Sequence, residues 1–153
     1  MAVISRTIPE REVLTTEPSV AMAIWASPDR PRIASWHLLA ALPSLLRWYG
    51  PAAMRRSAVV AAVLDRQRPS ERHWYLGGLG TDPDHQRRGI GSALMRPVLA
   101  RCDAERTGAY LETQSEENVG FYERRGFEVT AELDVPGGGP HMWLMWRAPR
   151  PPA

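Results

Sequence analysis

The middle of the chain contains a turn whose residue types suit phosphate binding: Gln86-Arg87-Arg88-Gly89-Ile90-Gly91-Ser92. The turn follows a predicted strand and opens a predicted helix, where backbone N–H groups lack acceptors and the helix dipole adds positive potential. Its two glycines let an anion approach the main chain closely, and its two arginines add positive charge. The segment therefore predicts a site for a phosphate or pyrophosphate group.

Two common phosphate loops do not fit this turn. A Walker loop ends in Gly-Lys-Ser/Thr, but all 19 basic residues of the chain are arginine. The dinucleotide fingerprint needs G-x-G-x-x-G after the first strand, whereas this turn lies late in the chain and only Gly89-Ile90-Gly91 matches. A third pattern, Gln/Arg-x-x-Gly-x-Gly/Ala, is met in full.

The elements that must position this turn form an alternating series. Strands are predicted at Glu12–Thr16, Val20–Ala26, His73–Thr81, Ala109–Thr113, Phe127–Val135 and His141–Arg147. Helices are predicted at Ile33–Tyr49, Ala52–Gln67, from Gly89 to Arg106 and at Asn118–Arg125. Glycines inside the third strand predict a bulge or a close approach of a ligand. The series predicts a mixed α/β sheet in one domain over residues 1–147, followed by a flexible proline-rich tail at 148–153.

The stretch from His73 to Arg147 resembles the C-terminal half of GNAT superfamily acetyltransferases. The resemblance rests on HWYLGGLGTDPDHQRRGIGSAL, AYLETQSEENVGFYERRGFEV and a final hairpin, in that order. It looks closest to the puromycin N-acetyltransferase-like branch. The resemblance implies a GNAT-like acyl-CoA N-acyltransferase fold and acetyl-CoA as co-substrate. It also implies transfer of an acetyl group to a primary amine of a small molecule or peptide, by direct attack in a ternary complex.

The resemblance assigns cofactor contacts residue by residue. Leu79, Gly80 and Thr81 match the end of the strand whose backbone pairs with the pantetheine arm of CoA. The N–H of Leu79 would also face the thioester carbonyl and act as an oxyanion donor. The turn from Gln86 to Ser92 matches the pyrophosphate loop, and Asn118 matches an asparagine that contacts the CoA arm.

Tyr122 matches the tyrosine that protonates the departing thiolate. Asn118 and Tyr122 are four residues apart, which places both on one helix face with Asn118 as a candidate N-cap. A phenol has a pKa near 10, so Tyr122 keeps its proton at neutral pH and can donate it. The structural alternatives are that Asn118 is only a cap and Tyr122 only a core aromatic.

Glu112 shares a strand face with Tyr110, and its carboxylate could contact an incoming amine there. Three roles are open for its carboxylate: a general base acting directly or through water, an anchor for a cationic substrate, or an ordinary carboxylate at the rim. Three histidines, at positions 73, 85 and 141, are weaker candidates, and no set of His, Cys or carboxylates has metal-ligand spacing.

The N-terminal part departs from the GNAT pattern, because a strand and two helices normally precede the strand pair at 12–26. Three interpretations are open: a start that truncates a longer protein, a partner chain that supplies the missing wall of the acceptor pocket, or a divergent short form. Truncation or divergence is favoured. The helices at 33–67 are expected to substitute in part, with Trp36, Trp48 and Tyr49 either lining a hydrophobic acceptor site or filling the core.

The composition of the chain bears on the other functional classes and on its cellular location. A net charge of +2 is a poor electrostatic footprint for nucleic acid, although an arginine-rich nucleic-acid module stays an alternative. The single cysteine, Cys102, falls at an apolar helix position and is expected to be buried. No signal peptide is visible and the apolar stretches are too short or interrupted for a membrane span, so a cytoplasmic protein is predicted. A homodimer and a non-catalytic acyl-CoA-binding domain are further alternatives.

Overall fold

The computed structural model describes residues 2–8, 11–28 and 35–151, with side chains described except at 6–8 and 35–49. Seven strands and three α-helices are found in these ranges. The strands are β1 (Ala2–Ile8), β2 (Arg11–Glu17), β3 (Ala21–Ala26), β4 (His73–Thr81), β5 (Gly108–Thr113), β6 (Glu128–Asp134) and β7 (His141–Arg147). The helices are α1 (Ser35–Gln67), α2 (Ile90–Ala104) and α3 (Glu116–Glu123), with a 3-10 turn at Pro83–His85.

The strands form one sheet in the order β1-β2-β3-β4-β5-β7-β6. Only β4 and β5 run parallel, while every other neighbouring pair is antiparallel. The mixed α/β fold predicted from the sequence is therefore confirmed. The parallel pair lies at the centre, which places the turn after β4 and the start of α2 beside the ends of the central strands.

The first strand corrects the sequence analysis, which placed no element before residue 12. β1 pairs with β2 from Ala2↔Glu17 to Ile8↔Arg11. The sequence pattern missed it because an edge strand buries little: residues 2, 3 and 5 are exposed, so no apolar alternation marks the segment. The strand that the GNAT pattern expects before β2 is thus present. No helix stands between β1 and β2, because only residues 9 and 10 separate them, and the first described helix follows β3.

One face of the sheet is covered by α2, whose buried side chains recur every fourth residue at Ile90, Leu94, Val98 and Cys102. This spacing puts them on a single stripe. The stripe belongs to one apolar core together with buried side chains of β2 to β5: Leu14, Trp25, Leu76 and Leu111. Cys102 is fully enclosed, as predicted, and burial raises the pKa of its thiol to about 12.

The opposite face is covered in part by the second half of α1. The helix is interrupted at Gly50, where φ is 74° and ψ is 162°, which agrees with the predicted end of one helix at this glycine. Beyond it, Val60 and Leu64 pack against a second cluster on the sheet that contains Tyr110 and Leu144. The second half of α1 therefore covers part of the sheet in place of the missing N-terminal helices, as predicted. The side chains of Trp36, Trp48 and Tyr49 lie outside the described residues.

A buried ion pair ties α2 to β7 and to the end of α3. Arg147 is 3% exposed, and its two terminal nitrogens donate to the Asp103 carboxylate, each at 2.8 Å. Its Nε donates to the carbonyl of Arg125 at 3.1 Å, immediately after α3. The chain beyond β7 returns to the same carboxylate, since the N–H of Arg150 donates to Asp103 at 2.7 Å. These bonds fix the position of α3 relative to the sheet.

Candidate active site

A gap opens between β4 and β5 halfway along β4. Their parallel register ends at Leu76↔Leu111, whereas β4 continues beside β3 as far as Thr81. The register of β3 and β4 shifts at Gly77, which has no partner on β3, so the bulge predicted from the glycines is confirmed. A bulge bends its strand and increases the local twist. Within the described part of the chain, a β-carbon at Gly80 would meet no atom within 4 Å, so the strand is uncovered at this position.

The main-chain direction of Leu79 follows from the hydrogen bonds at the end of β4. The N–H of Asp82 donates to the carbonyl of Val20 at 2.8 Å, and bonding groups alternate in direction along an antiparallel strand. Leu79 and Thr81 therefore point their N–H and C=O groups away from β3. The Thr81 carbonyl accepts a hydrogen bond from Gln86 Nε2 at 3.1 Å. Leu79 thus presents its N–H and C=O to the gap.

The turn before α2 has the backbone geometry of an anion site. Arg87 and Gly89 adopt left-handed conformations, with φ of 59° and 77°, which reverse the chain just before α2 begins. The N–H of Ala93 donates to the carbonyl of Gly89 at 3.0 Å. From Arg87 to Ser92, no N–H has a main-chain acceptor in the described part of the chain. The side chains of Arg87 and Arg88 are exposed at this positive end of the helix.

The start of α2 is in close contact with both β4 and α3. A β-carbon at Gly91 would lie 3.3 Å from the ring of Phe121 and 3.7 Å from the side chain of Leu79. Arg125 joins the same elements: its guanidinium donates to the Ser92 hydroxyl, and its central carbon lies 3.5 Å from the Phe121 ring centroid. Glycine at position 91 therefore permits the close packing that brings the turn, the strand and α3 together.

Arg125 was not singled out by the sequence analysis. It lies beside Arg124 in a segment of ordinary helical composition, and no local pattern distinguishes the two arginines. Burial lowers the pKa of Arg125, yet a guanidinium keeps its charge at neutral pH. The contact with Ser92 therefore adds a fixed positive charge beside the N-terminus of α2.

Helix α3 places Tyr122 in the core and Asn118 at the surface. The helix begins at Glu116 with Ser115 at the N-cap position, so the prediction of Asn118 as the cap was wrong. Asn118 is exposed, and its N–H donates to the Ser115 carbonyl at 3.0 Å. Tyr122 is 8% exposed, and burial raises its pKa. Its ring belongs to the apolar core that α2 covers, where it packs edge to face against Phe121 and Phe127.

Glu112 lies at the closed end of the gap, one residue beyond the last rung that joins β4 and β5. Its side chain is only 4% exposed, so it is not an ordinary carboxylate at the rim. The Tyr75 hydroxyl donates to Glu112 Oε2 at 2.6 Å. Burial, and then the charge of Glu112, raise the pKa of Tyr75, so this phenol stays protonated and donates. The Arg68 guanidinium lies near the other oxygen, with Nη2 at 3.8 Å from Oε1.

Aromatic rings enclose the Glu112 carboxylate on the face that α1 covers. The rings of Tyr75 and Tyr110 are stacked, with centroids 6.1 Å apart. His73 meets Tyr110 edge to face at 5.5 Å and Trp146 at 5.8 Å. The sequence alternation that joined Tyr110 to Glu112 also extends to Tyr75 on the paired strand. No such signal marks Arg68, because its contact joins the end of α1 to β5.

Two of the described histidines, His85 and His141, lie away from the gap. His85 Nδ1 lies 3.6 Å from Asp82 in the turn after β4, as expected for a residue that stabilises the turn. His141 belongs to the β6–β7 hairpin, where the hydrogen bond with Asp134 at 2.8 Å raises its pKa. Among the described residues no three His, Cys, Asp or Glu side chains are arranged to hold a metal ion. None of the helices within these ranges is long and apolar enough to cross a membrane.

Comparison with known proteins places this architecture in one family. The model of the acetyltransferase (GNAT) family matches residues 12–127, which extends the likeness well before the segment recognised in the sequence. The crystal structure named histone acetyltransferase HPA2 and related acetyltransferase, from Corynebacterium glutamicum, is similar with a TM-score of 0.62 and 26% identity. That match covers 94% of this chain and 66% of the other.

Two more distant structures share the fold. The ribosomal-protein-S18-alanine N-acetyltransferase from Escherichia coli has a TM-score of 0.54 at 15% identity and covers 96% of this chain and 74% of that one. An agmatine N-acetyltransferase has a TM-score of 0.58 at 14% identity, with coverage of 91% and 76%. The likeness to the puromycin N-acetyltransferase-like branch stays a prediction. With a family model that spans most of its length and a sheet of the same architecture, the chain belongs to the GNAT acetyltransferase family.

Proposed function

We propose that the protein moves an acetyl group from acetyl-CoA to a primary amine of a small molecule or peptide, by direct attack in a ternary complex. The gap between β4 and β5 is the observation that carries this proposal. It combines an unpaired strand edge, the free N–H groups before α2 and a buried carboxylate at its closed end. Acetyl-CoA would supply the activated acetyl thioester.

The residues of the gap suit the chemistry of acetyl-CoA. An extended amide chain can add to the edge of β4 as a further strand would, and Leu79 offers both a donor and an acceptor there. The N–H groups between Arg87 and Ser92 suit a pyrophosphate, and the charge of Arg125 favours an anion at the same end. Gly80 leaves space for a close approach, since a β-carbon there would have no atom within 4 Å.

Three groups would act in the transfer, as oxyanion donor, general base and general acid. The N–H of Leu79 donates a hydrogen bond to the thioester oxygen as negative charge develops on it. Glu112 accepts a proton from the attacking amine, which restores the nitrogen lone pair. Tyr122 donates its phenol proton to the departing sulfur, and the raised pKa of Tyr122 keeps it protonated at neutral pH until then.

Calorimetric titration with acetyl-CoA tests the cofactor site. Micromolar binding is expected, followed by thiol release when a suitable amine is added. Binding without thiol release on any amine would instead identify a non-catalytic acyl-CoA-binding domain. Indifference of the folded protein to acetyl-CoA, together with salt-sensitive binding to DNA or RNA, would favour the nucleic-acid alternative.

The variant Tyr122→Phe tests the proposed acid. Loss of a positioned general acid lowers turnover by about 100-fold, whereas acetyl-CoA affinity should change little because the ring keeps its packing. Steady-state thiol release gives the turnover and calorimetry gives the affinity. Unchanged turnover would remove Tyr122 from the mechanism and leave it as a core aromatic.

A further inference from the structure

A positively charged side chain of the protein already occupies the space beside Glu112. Arg68 directly follows α1, and its guanidinium carbon lies 4.5 Å from the centroid of the Tyr75 ring. The same guanidinium approaches Glu112 Oε1 at 3.8 Å. A cation thus lies between a carboxylate and an aromatic face, which is the arrangement that binds organic cations in proteins.

Arg68 fits this position incompletely. The 3.8 Å separation is too long for a hydrogen bond, and Glu112 Oε1 is enclosed without a hydrogen-bond partner in the described part of the chain. The Tyr110 hydroxyl, on a fully buried residue, lies beside the same carboxylate, and Arg68 Nε is enclosed without a hydrogen-bond partner among the described residues. Buried polar atoms are nearly always hydrogen-bonded in folded proteins. Arg68 therefore approaches Glu112 Oε1 without forming a hydrogen bond to it.

We propose that this is the subsite for the ammonium form of the acceptor amine, and that Arg68 occupies it in the free protein until the acceptor displaces it. The inference rests on the proposed function, because it names the cation that the transfer site receives. An ammonium group is more compact than a guanidinium and has donors that can bond directly to Glu112 Oε1. Its charge would take the place of the guanidinium over Tyr75.

Displacement of Arg68 requires only a side-chain movement. Its side chain is 23% exposed, so the guanidinium can rotate into water while Glu112, at 4%, stays enclosed. The tethered guanidinium competes with any external cation for the subsite. The apparent affinity for that cation is lowered by the fraction of molecules in which the subsite is open. If Arg68 occupies the subsite in about nine molecules of ten, its removal strengthens binding about tenfold.

The test is direct binding of propylammonium chloride in the absence of acetyl-CoA, followed by ¹H–¹⁵N chemical shifts of residues 110–113. Arg68→Ala and Arg68→Gln should both bind the probe about tenfold more tightly than the wild type. Arg66→Ala removes the same charge from an exposed position in the last turn of α1 and should match the wild type. The double variant Arg68→Ala/Glu112→Gln should not bind propylammonium. The uncharged control, 1-propanol, should bind to none of these proteins.

Equal or weaker probe binding by both Arg68 variants, with unchanged thermal unfolding, would overturn the proposal. So would binding that survives Glu112→Gln, because the subsite would then lie elsewhere. Failure of the proposed function has a separate signature: tight probe binding by Arg68→Ala without thiol release from acetyl-CoA on any amine. Thiol release combined with no probe binding would support acetyl transfer and reject the subsite.

Discussion

Removal of the Asp103 carboxylate should destabilise the protein strongly, because Arg147 would be left buried without its counter-charge. The side chain of Arg147 is 4% exposed and that of Asp103 is 26% exposed. In Asp103→Ala the guanidinium keeps only the bond from Nε to the Arg125 carbonyl. Breaking a buried ion pair on one side costs about 3–5 kcal/mol, and water can reach the exposed part of this site, so we expect about 3 kcal/mol. For a chain of this size that corresponds to a fall in Tm of about 6–12 °C.

Thermal unfolding followed by circular dichroism measures this difference, with Asp84→Ala as the control because Asp84 is an exposed aspartate. The hydrogen bonds from Arg147 lower the pKa of Asp103 in the folded state. A depressed folded pKa contributes stability above the unfolded pKa of about 3.9, and this stability is lost as the pH falls through the folded value. The difference in unfolding free energy between wild type and Asp103→Ala should therefore be constant near neutral pH and become smaller in acid. A loss below about 1 kcal/mol at neutral pH, as for an exposed pair, would refute the reasoning.

Two further predictions concern packing and the buried thiol. Gly108→Ala should cost about 1–3 kcal/mol by overpacking, because its β-carbon would lie 2.1 Å from the Trp146 ring. Gly80→Ala, which meets no atom within 4 Å, should leave the chemical-denaturation midpoint nearly unchanged, and equal losses in the two variants would contradict this account. Cys102 should resist alkylation by iodoacetamide at pH 8 in the folded protein, because burial raises its pKa to about 12, and should react once the protein is unfolded. Rapid modification of the native protein, followed by mass spectrometry, would show that α2 opens readily.

Local sequence patterns were sufficient for most of the elements. The alternation of side chains predicted six of the seven described strands, because burial of a sheet face imposes that period. The interruption at Gly50 followed from the Gly50-Pro51 pair, which ends a helical pattern. β1 was the exception, since an edge strand with exposed side chains owes its conformation to pairing with β2. Asn118 shows the same limit at a helix start: its type suits a cap, but Ser115 takes that position.

The turn from Gln86 to Ser92 could be interpreted from sequence because its geometry is local. Glycine at 89 permits the left-handed conformation, and the start of α2 leaves N–H groups without main-chain acceptors. The bulge at Gly77 could also be anticipated, since glycines inside a strand weaken regular pairing.

Tertiary structure alone decided what surrounds the candidate site residues. The gap opens because β4 stays paired with β3 while β5 stays paired with β7. No local sequence pattern specifies where two parallel strands separate. Arg68 and Glu112 meet only because α1 ends over the face of β5, and Arg125 meets Ser92 only because α3 packs on the start of α2. The sequence by itself therefore determined the resemblance to the family, and it predicted the phosphate turn and the proton donor. Burial of Glu112 and its approach by Arg68 depend on contacts between residues far apart in the chain, which only the folded sheet brings together.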